Sequence, residues 1–249
     1  MKSIVCIKRV PDTETRIKIG GDGTSADLSG VKYVVNPYDE FAVEAALQLK
    51  ESQGSGEVTT LTIGDAGAAE QLRSTLAMGA DKAVLLKGDV SLDGLATARA
   101  LAEELRDAGA DLILFGMKAV DDDQQQVGPM VAEMLGLPCV TMVMEIEVEG
   151  DKIVCHREIE GGVEVVEVPL PAVVTVTKGK YEPRYASLKG IMAAKKKPLE
   201  EKDAQVGESR VVVRKMSLPP ERPEGRIVGE GVEAVPELVR LLREEAKAL

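Results

Sequence analysis

Four short apolar runs, separated by windows of helical periodicity, constrain this chain more than any other feature of its sequence. They are Ser3 to Lys8 (SIVCIK), Val58 to Ile63 (VTTLTI), Ala83 to Lys87 (AVLLK) and Leu112 to Phe115 (LILF). Each is apolar nearly throughout, as a strand covered on both faces must be. Helices fill the gaps. Asn36-Pro37 ahead of FAVEAALQLKE predicts a helix start with Asn36 at the N-cap and Pro37 at the first position, and Phe41, Ala45 and Leu49 share one face. Further helical windows run over 68–78, 95–108 and 125–135, each ending before a glycine, Gly79, Gly109 or Gly136. Strand–helix alternation of this kind predicts βαβ units: an α/β fold with a mostly parallel, doubly wound, Rossmann-like sheet.

After Cys139 the pattern changes to alternation with charged partners, with turns at Glu149-Gly150-Asp151 and Glu160-Gly161-Gly162, which reads as an antiparallel β meander. A last strand, Pro171 to Thr177 (PAVVTVT), leads into YEPRYASLKGIMAAKKK, residues 181–197. Pro183 and Gly190 argue against a long helix or a central strand there, so the segment reads as a long loop. Its Tyr181, Tyr185, Leu188, Ile191 and Met192 either form an exposed apolar patch for a partner or tuck back onto the body. Beyond Lys195 the chain is rich in Lys, Glu and Pro and reads as an extended arm, with an amphipathic helix over 235–248 that docks on the body or on another subunit. The domain division is therefore 1–194 for the α/β nucleotide-binding domain and 195–249 for the C-terminal arm and helix.

At 249 residues and 44% hydrophobic content the chain can bury a full core. Its net charge of -11 repels a phosphate backbone and excludes a nucleic-acid binder. Cys6, Cys139 and Cys155 have no CxxC spacing and His156 is the only histidine, so zinc, iron–sulfur and Ser-His-Asp chemistry lack parts. Unpaired cysteines fit a reduced, cytoplasmic setting, and Cys6 reads as a small core residue within a strand. No stretch approaches the roughly 20 apolar residues of a membrane helix.

In an open parallel sheet ligands sit beyond the carboxyl ends of the strands. The loop after the fourth strand holds Gly116, Met117, Lys118, Ala119, Val120, Asp121, Asp122, Asp123, Gln124, Gln125, Gln126 and Val127, and it leads into a helix whose N-terminal N–H groups suit an anion. Asp121, Asp122 and Asp123 read as helix-capping acids rather than Mg²⁺ ligands. The glutamines offer amides to a phosphate, ribose or base edge. Ile63-Gly64-Asp65 after the second strand, Lys8-Arg9-Val10-Pro11 after the first and Val35-Asn36-Pro37-Tyr38 before the first helix converge on the same end. Neither GxGxxG nor GxxxxGK[ST] is present, and no nucleophile or acid–base pair emerges, so the site reads as a nucleotide cleft without its own catalysis.

Five ordered blocks carry a resemblance: VKYVVNPYDEFAVEAALQLKE, STLAMGADKA, FGMKAVDDDQQQVGPMVAEML, HREIEGGVEVVEVPLPAVVTV and YEPRYASLKGIMAAKKKPL. The chain resembles the β subunit of electron transfer flavoprotein over nearly all its length. The resemblance implies an electron carrier rather than an enzyme. It implies a heterodimer with an α subunit that holds most of one redox-active FAD, while this chain carries a structural AMP. Acyl-CoA and related dehydrogenases would be the electron donors and a membrane quinone oxidoreductase the acceptor. AMP contacts carried over from the family fall on Cys6, on Asn36, Pro37, Tyr38 and Asp39, on Ile63, and on Gly116 through Val127. Ile63 and Gln125 stand where the animal form has cysteine and asparagine, and Thr13 where it has tyrosine. Tyr38 matches an aromatic near the dimethylbenzene edge of the flavin.

The same resemblance makes 176–198 a recognition loop that docks dehydrogenases. Leu188 is its anchor, with Tyr181, Arg184, Tyr185, Ile191 and Met192 around it, and Glu158 matches a glutamate that steadies the flavin domain. Two rivals stand beside this reading. One is a bifurcating, NADH-linked flavoprotein with a second FAD in the AMP cleft; a glycine replaces Asp122 in that group, so the carboxylate here favours AMP. The other is a stand-alone AMP- or ATP-binding module.

Overall fold

A computed structural model describes residues 1–88, 93–221 and 224–249. Along the chain the strands are β1 (Lys2–Cys6), β2 (Arg9–Pro11), β3 (Lys18–Ile19), β4 (Ala26–Asp27) and β5 (Tyr33–Val35), followed by helix α1 (Pro37–Ser52). There follow β6 (Glu57–Gly64), α2 (Ala69–Met78), β7 (Lys82–Lys87), α3 (Gly94–Arg106), β8 (Leu112–Gly116) and α4 (Val127–Leu135). The second half holds β9 (Cys139–Glu149), β10 (Lys152–Ile159), β11 (Gly162–Pro169), β12 (Ala172–Val176), α5 (Leu188–Ala194), β13 (Leu199–Asp203) and α6 (Val235–Glu244).

One nine-stranded sheet has the order β11-β10-β9-β12-β8-β1-β6-β7-β13. Every pairing from β9 to β13 is parallel, and the β9-β10-β11 meander is antiparallel. The continuous apolar runs are explained by what covers them. Val5 faces Ala42 and Ala46 of α1 and Leu72 and Leu76 of α2 in one core layer, while Ile4 and Cys6 face Ala98 and Leu101 of α3 and Val131 of α4 in the other. A doubly wound α/β architecture results, as the alternation predicts.

Two expectations change. The chain does not leave the body at Lys195: β13 pairs in parallel with β7, from Leu199 opposite Ala83 to Asp203 opposite Lys87. Its sequence, LEEKD, is polar because an edge strand with an exposed flank need not be apolar. Nor is 181–197 a loop throughout, since α5 forms within it. Ser187 caps that helix, its Oγ accepting from the Gly190 N–H at 3.0 Å. From Gln205 to Glu221 the arm is exposed, and Asp93 at the N-cap of α3 clips it by accepting from the N–H groups of Arg210 at 2.6 Å and Val211 at 3.0 Å. Arg222 and Pro223, within the expected arm, lie outside the described residues. Helix α6 buries no residue.

Candidate nucleotide cleft and docking surface

Strand β1 has β6 on one side and β8 on the other, so the order of the sheet reverses there. The carboxyl ends of β1 and β8 lead into separate loops at this point, the position at which open α/β sheets take their ligands. Asp39, buried in the first turn of α1, bridges the two ends. Its Oδ2 accepts from the Lys8 N–H at 2.6 Å and its Oδ1 from the Gly116 N–H at 3.0 Å. Burial pushes its carboxyl up to about 7 against the pull of these two N–H donors. Gly116 has no alternative here, because a Cβ at that position would lie 2.2 Å from Asp39 Oδ1 and 2.7 Å from the Asp39 backbone nitrogen.

Asn36 ties the same pieces together. Its Nδ2 donates to the Lys118 carbonyl at 2.8 Å and its Oδ1 accepts from the Val120 N–H at 3.1 Å. Asn36 is the N-cap residue of α1 by position, but its side chain makes no capping bond. The expected local cap is replaced by a clasp onto a loop more than eighty residues away.

The acids of the β8–α4 loop do not cap α4 either. That helix starts at Val127 behind Gln126 and has no side-chain cap. Asp121 and Asp122 each pair with Lys8 Nζ at 2.8 Å, and Asp123 pairs with Lys118 Nζ at 2.8 Å. At Lys8 burial alone would lower the pKa, but the hydrogen bonds from Asp121 and Asp122 prevail and raise it. Lys118 Nζ stands 5.8 Å from the centre of the Tyr38 ring, which packs edge-on against Phe41. Asp123 and Gln125 adopt positive φ, 56° and 55°. Gln124 and Gln126 lean onto the start of α3: a Cβ on Gly94 would lie 2.7 Å from Gln124 Oε1 and 2.5 Å from Gln126 Nε2. The N–H groups of Gln125, Gln126, Val127 and Gly128 find no acceptor among the described residues. Free N–H groups at a helix start are donors for an anion.

Cys6, the last residue of β1, is buried, its thiol pushed up by burial and then by Asp39. Ile63 lies partly buried near the end of β6, and Met117 continues the sheet by donating to the Val176 carbonyl at 2.8 Å. No group of three metal-ligating side chains occurs among the described residues. The arrangement can bind and orient; it holds no activated nucleophile. The sequence puts Lys8 directly after the first strand, and there it pairs with Asp121 and Asp122, whereas nothing in the sequence marks Gly94.

The second region of interest surrounds α5. Leu188 is 83% exposed and Tyr185 99%, with Met192 and Ile191 beside them. Tyr181, expected among the exposed residues, is instead 3% exposed: its Oη accepts from the Ile146 N–H at 2.8 Å, and burial pushes the phenol up to about 12. It anchors the loop base. Arg184, also expected at the docking surface, directs its guanidinium onto Glu44 and Glu51 of α1. Glu158 lies exposed on β10 opposite Val163.

The sequence profile of the electron transfer flavoprotein domain matches residues 26–206. The electron transfer flavoprotein subunit beta of Bradyrhizobium diazoefficiens is 42% identical over the whole of both chains. That of Syntrophomonas wolfei is 44% identical over 90% of this chain and 88% of its own, and that of Sus scrofa 39% over 98% and 97%. The chain belongs to the electron transfer flavoprotein β-subunit family. No helix among the described residues of this family member is long and apolar enough to cross a membrane.

Proposed function

We propose that this chain works as one half of an electron transfer flavoprotein, pairing with an α subunit that holds most of the FAD and keeping a structural AMP in its own cleft. The complex takes electrons from acyl-CoA and related dehydrogenases and delivers them to a quinone oxidoreductase. The observation that carries the reading is the convergence at the sheet's reversal point. Asn36 and Asp39 clasp the β8–α4 loop, and free N–H groups at Gln125 to Gly128 lie at the start of α4. This donor set fits a phosphate monoester. Lys8 and Lys118 offset the neighbouring acids, so an arriving anion does not meet three bare carboxylates. AMP here supplies no electrons; FAD, when bound, supplies the redox chemistry. This chain's residues hold the nucleotide and present α5, with Leu188 as the anchor for a dehydrogenase pocket.

Co-expression with an α subunit followed by flavin and nucleotide analysis tests the proposal. One FAD and one AMP per heterodimer is the expected result. Two flavins without AMP would replace it with the bifurcating reading, and failure to retain a flavin-bearing α subunit would leave the stand-alone module. Leu188→Ala should weaken dehydrogenase docking by about 2 kcal/mol, roughly 30-fold, with the melting temperature unchanged. A lower melting temperature with unchanged affinity would show Leu188 to be a packing residue.

A further inference from the structure

Helix α5 has seven residues and buries only Ala194, so its own hydrogen bonds do not account for its order. Something else holds it. At its leading end Arg184 Nε donates to Glu44 Oε2 at 2.8 Å and Nη2 to Glu44 Oε1 at 2.9 Å, while Nη2 also reaches Glu51 Oε2 at 3.1 Å. Glu44 is 3% exposed and takes two further bonds, from the Arg184 N–H at 3.2 Å and from Gln48 Nε2 at 2.8 Å. At the trailing end Arg73 of α2 donates to the carbonyls of Ala194 at 2.7 Å and Lys197 at 2.8 Å, and Lys197 Nζ donates back to the Ala80 carbonyl at 2.6 Å. Gly190 lets the helix lie against α2, since a Cβ there would stand 2.5 Å from the Ala77 carbonyl oxygen.

We propose that Arg184 is a positioning residue: its forked contact with Glu44 and Glu51 fixes the docking segment on α1 before a partner arrives, and Arg184 does not itself recognise the dehydrogenase. The inference rests on the docking reading of Leu188. A two-pronged guanidinium–carboxylate contact fixes orientation as well as distance, which a lysine cannot do. A partner then meets a helix already ordered, and the ordering of Tyr185, Leu188 and Met192 is not charged against binding.

Glu44 supplies the decisive variant, because a residue so deeply buried cannot touch a dehydrogenase. The chain, co-expressed with its α subunit, is compared as wild type, Glu44→Gln, Arg184→Lys and Leu188→Ala. Two measurements are made: hydrogen exchange over 185–194, and the KM and kcat with which an acyl-CoA dehydrogenase reduces the complex. Glu44→Gln and Arg184→Lys should each raise exchange in that segment about tenfold and raise KM without changing kcat. Leu188→Ala should raise KM and leave exchange alone. If Leu188→Ala leaves KM unchanged, the docking reading fails, while the exchange data still report on the fastening. If Leu188→Ala raises KM but Glu44→Gln changes neither quantity, the positioning role is overturned. A rise in KM for Arg184→Lys with normal exchange would also overturn it, making Arg184 a contact residue.

Discussion

Gly116→Ala isolates the clasp at the head of the cleft. The added methyl would meet Asp39 Oδ1 at 2.2 Å, the Asp39 nitrogen at 2.7 Å and the Tyr38 carbonyl carbon at 2.7 Å, against the 3.4 Å at which ordinary contact begins. Two of these three atoms are backbone, so no rotamer relieves them and the first turn of α1 must retreat by about an ångström. That retreat breaks the 3.0 Å bond from Gly116 to Asp39. Overpacking costs about 1–3 kcal/mol and losing a hydrogen bond to a carboxylate about 1.5–3 kcal/mol, so the sum is about 2.5–6 kcal/mol. For a chain of this size that lowers the melting temperature by roughly 5–24 °C. The assay is thermal unfolding of the heterodimer together with the AMP that survives gel filtration. Gly21→Ala is the control, since a Cβ there meets nothing within 4 Å and its backbone is unstrained. A Gly116→Ala complex melting within 2 °C (about 1 kcal/mol or less) of the control and keeping all its nucleotide would refute the clasp.

Three further outcomes are expected. Asp39→Asn turns an NH2 toward one of two N–H donors and should cost about 1–3 kcal/mol in urea unfolding. Asp39 titrates at about 7 in the folded chain against 3.8 ordinarily, so the folded state binds the extra proton. Wild type should therefore gain stability relative to Asp39→Asn as pH falls from about 7 toward 4, and a loss over that window would show the hydrogen bonds outweighing burial. Tyr181→Phe leaves the buried Ile146 N–H without a partner and should cost about 1–3 kcal/mol of stability while dehydrogenase KM stays fixed; a KM effect without destabilisation would return Tyr181 to the docking surface. Mass spectrometry after maleimide treatment should find one modified cysteine, Cys139, because Cys6 and Cys155 are buried and burial pushes the Cys155 thiol up to about 12; label on either buried cysteine would mean that the sheet opens.

The sheet was readable because strands covered on both faces must be apolar nearly throughout, and IVCI within SIVCIK and the whole of LILF are. Strand β13 was not, because an edge strand packs little and LEEKD carries no periodic signal. Helix α5 escaped notice for a related reason: it is held by Arg184 and Arg73, and bonds to residues more than a hundred positions away leave no mark on local spacing. The loops at the carboxyl ends of β1 and β8 do come together as the strand order predicts, but the partners their side chains choose were not legible. Asn36 and Asp121 to Asp123 are residues that cap helices when nothing better is near, and here Lys118, Val120 and Lys8 are nearer. Tyr181 and Tyr185 stand four residues apart in a polar stretch, and only the Ile146 N–H decides which one is buried.

The sheet ends on a strand that the ribosome makes late. Residue Lys87 completes β7, and its neighbour Asp203 follows 116 residues afterwards (203 minus 87), which at about 5–20 residues per second is a wait of roughly 6–23 seconds. Throughout that interval the apolar edge of β7, with Val84 and Leu86, is a template for any other extended chain. When β13 arrives it does more than extend the sheet. Its exposed Glu200, Glu201 and Asp203 leave a charged edge in place of the apolar one, and charge on an edge strand disfavours pairing with a further chain.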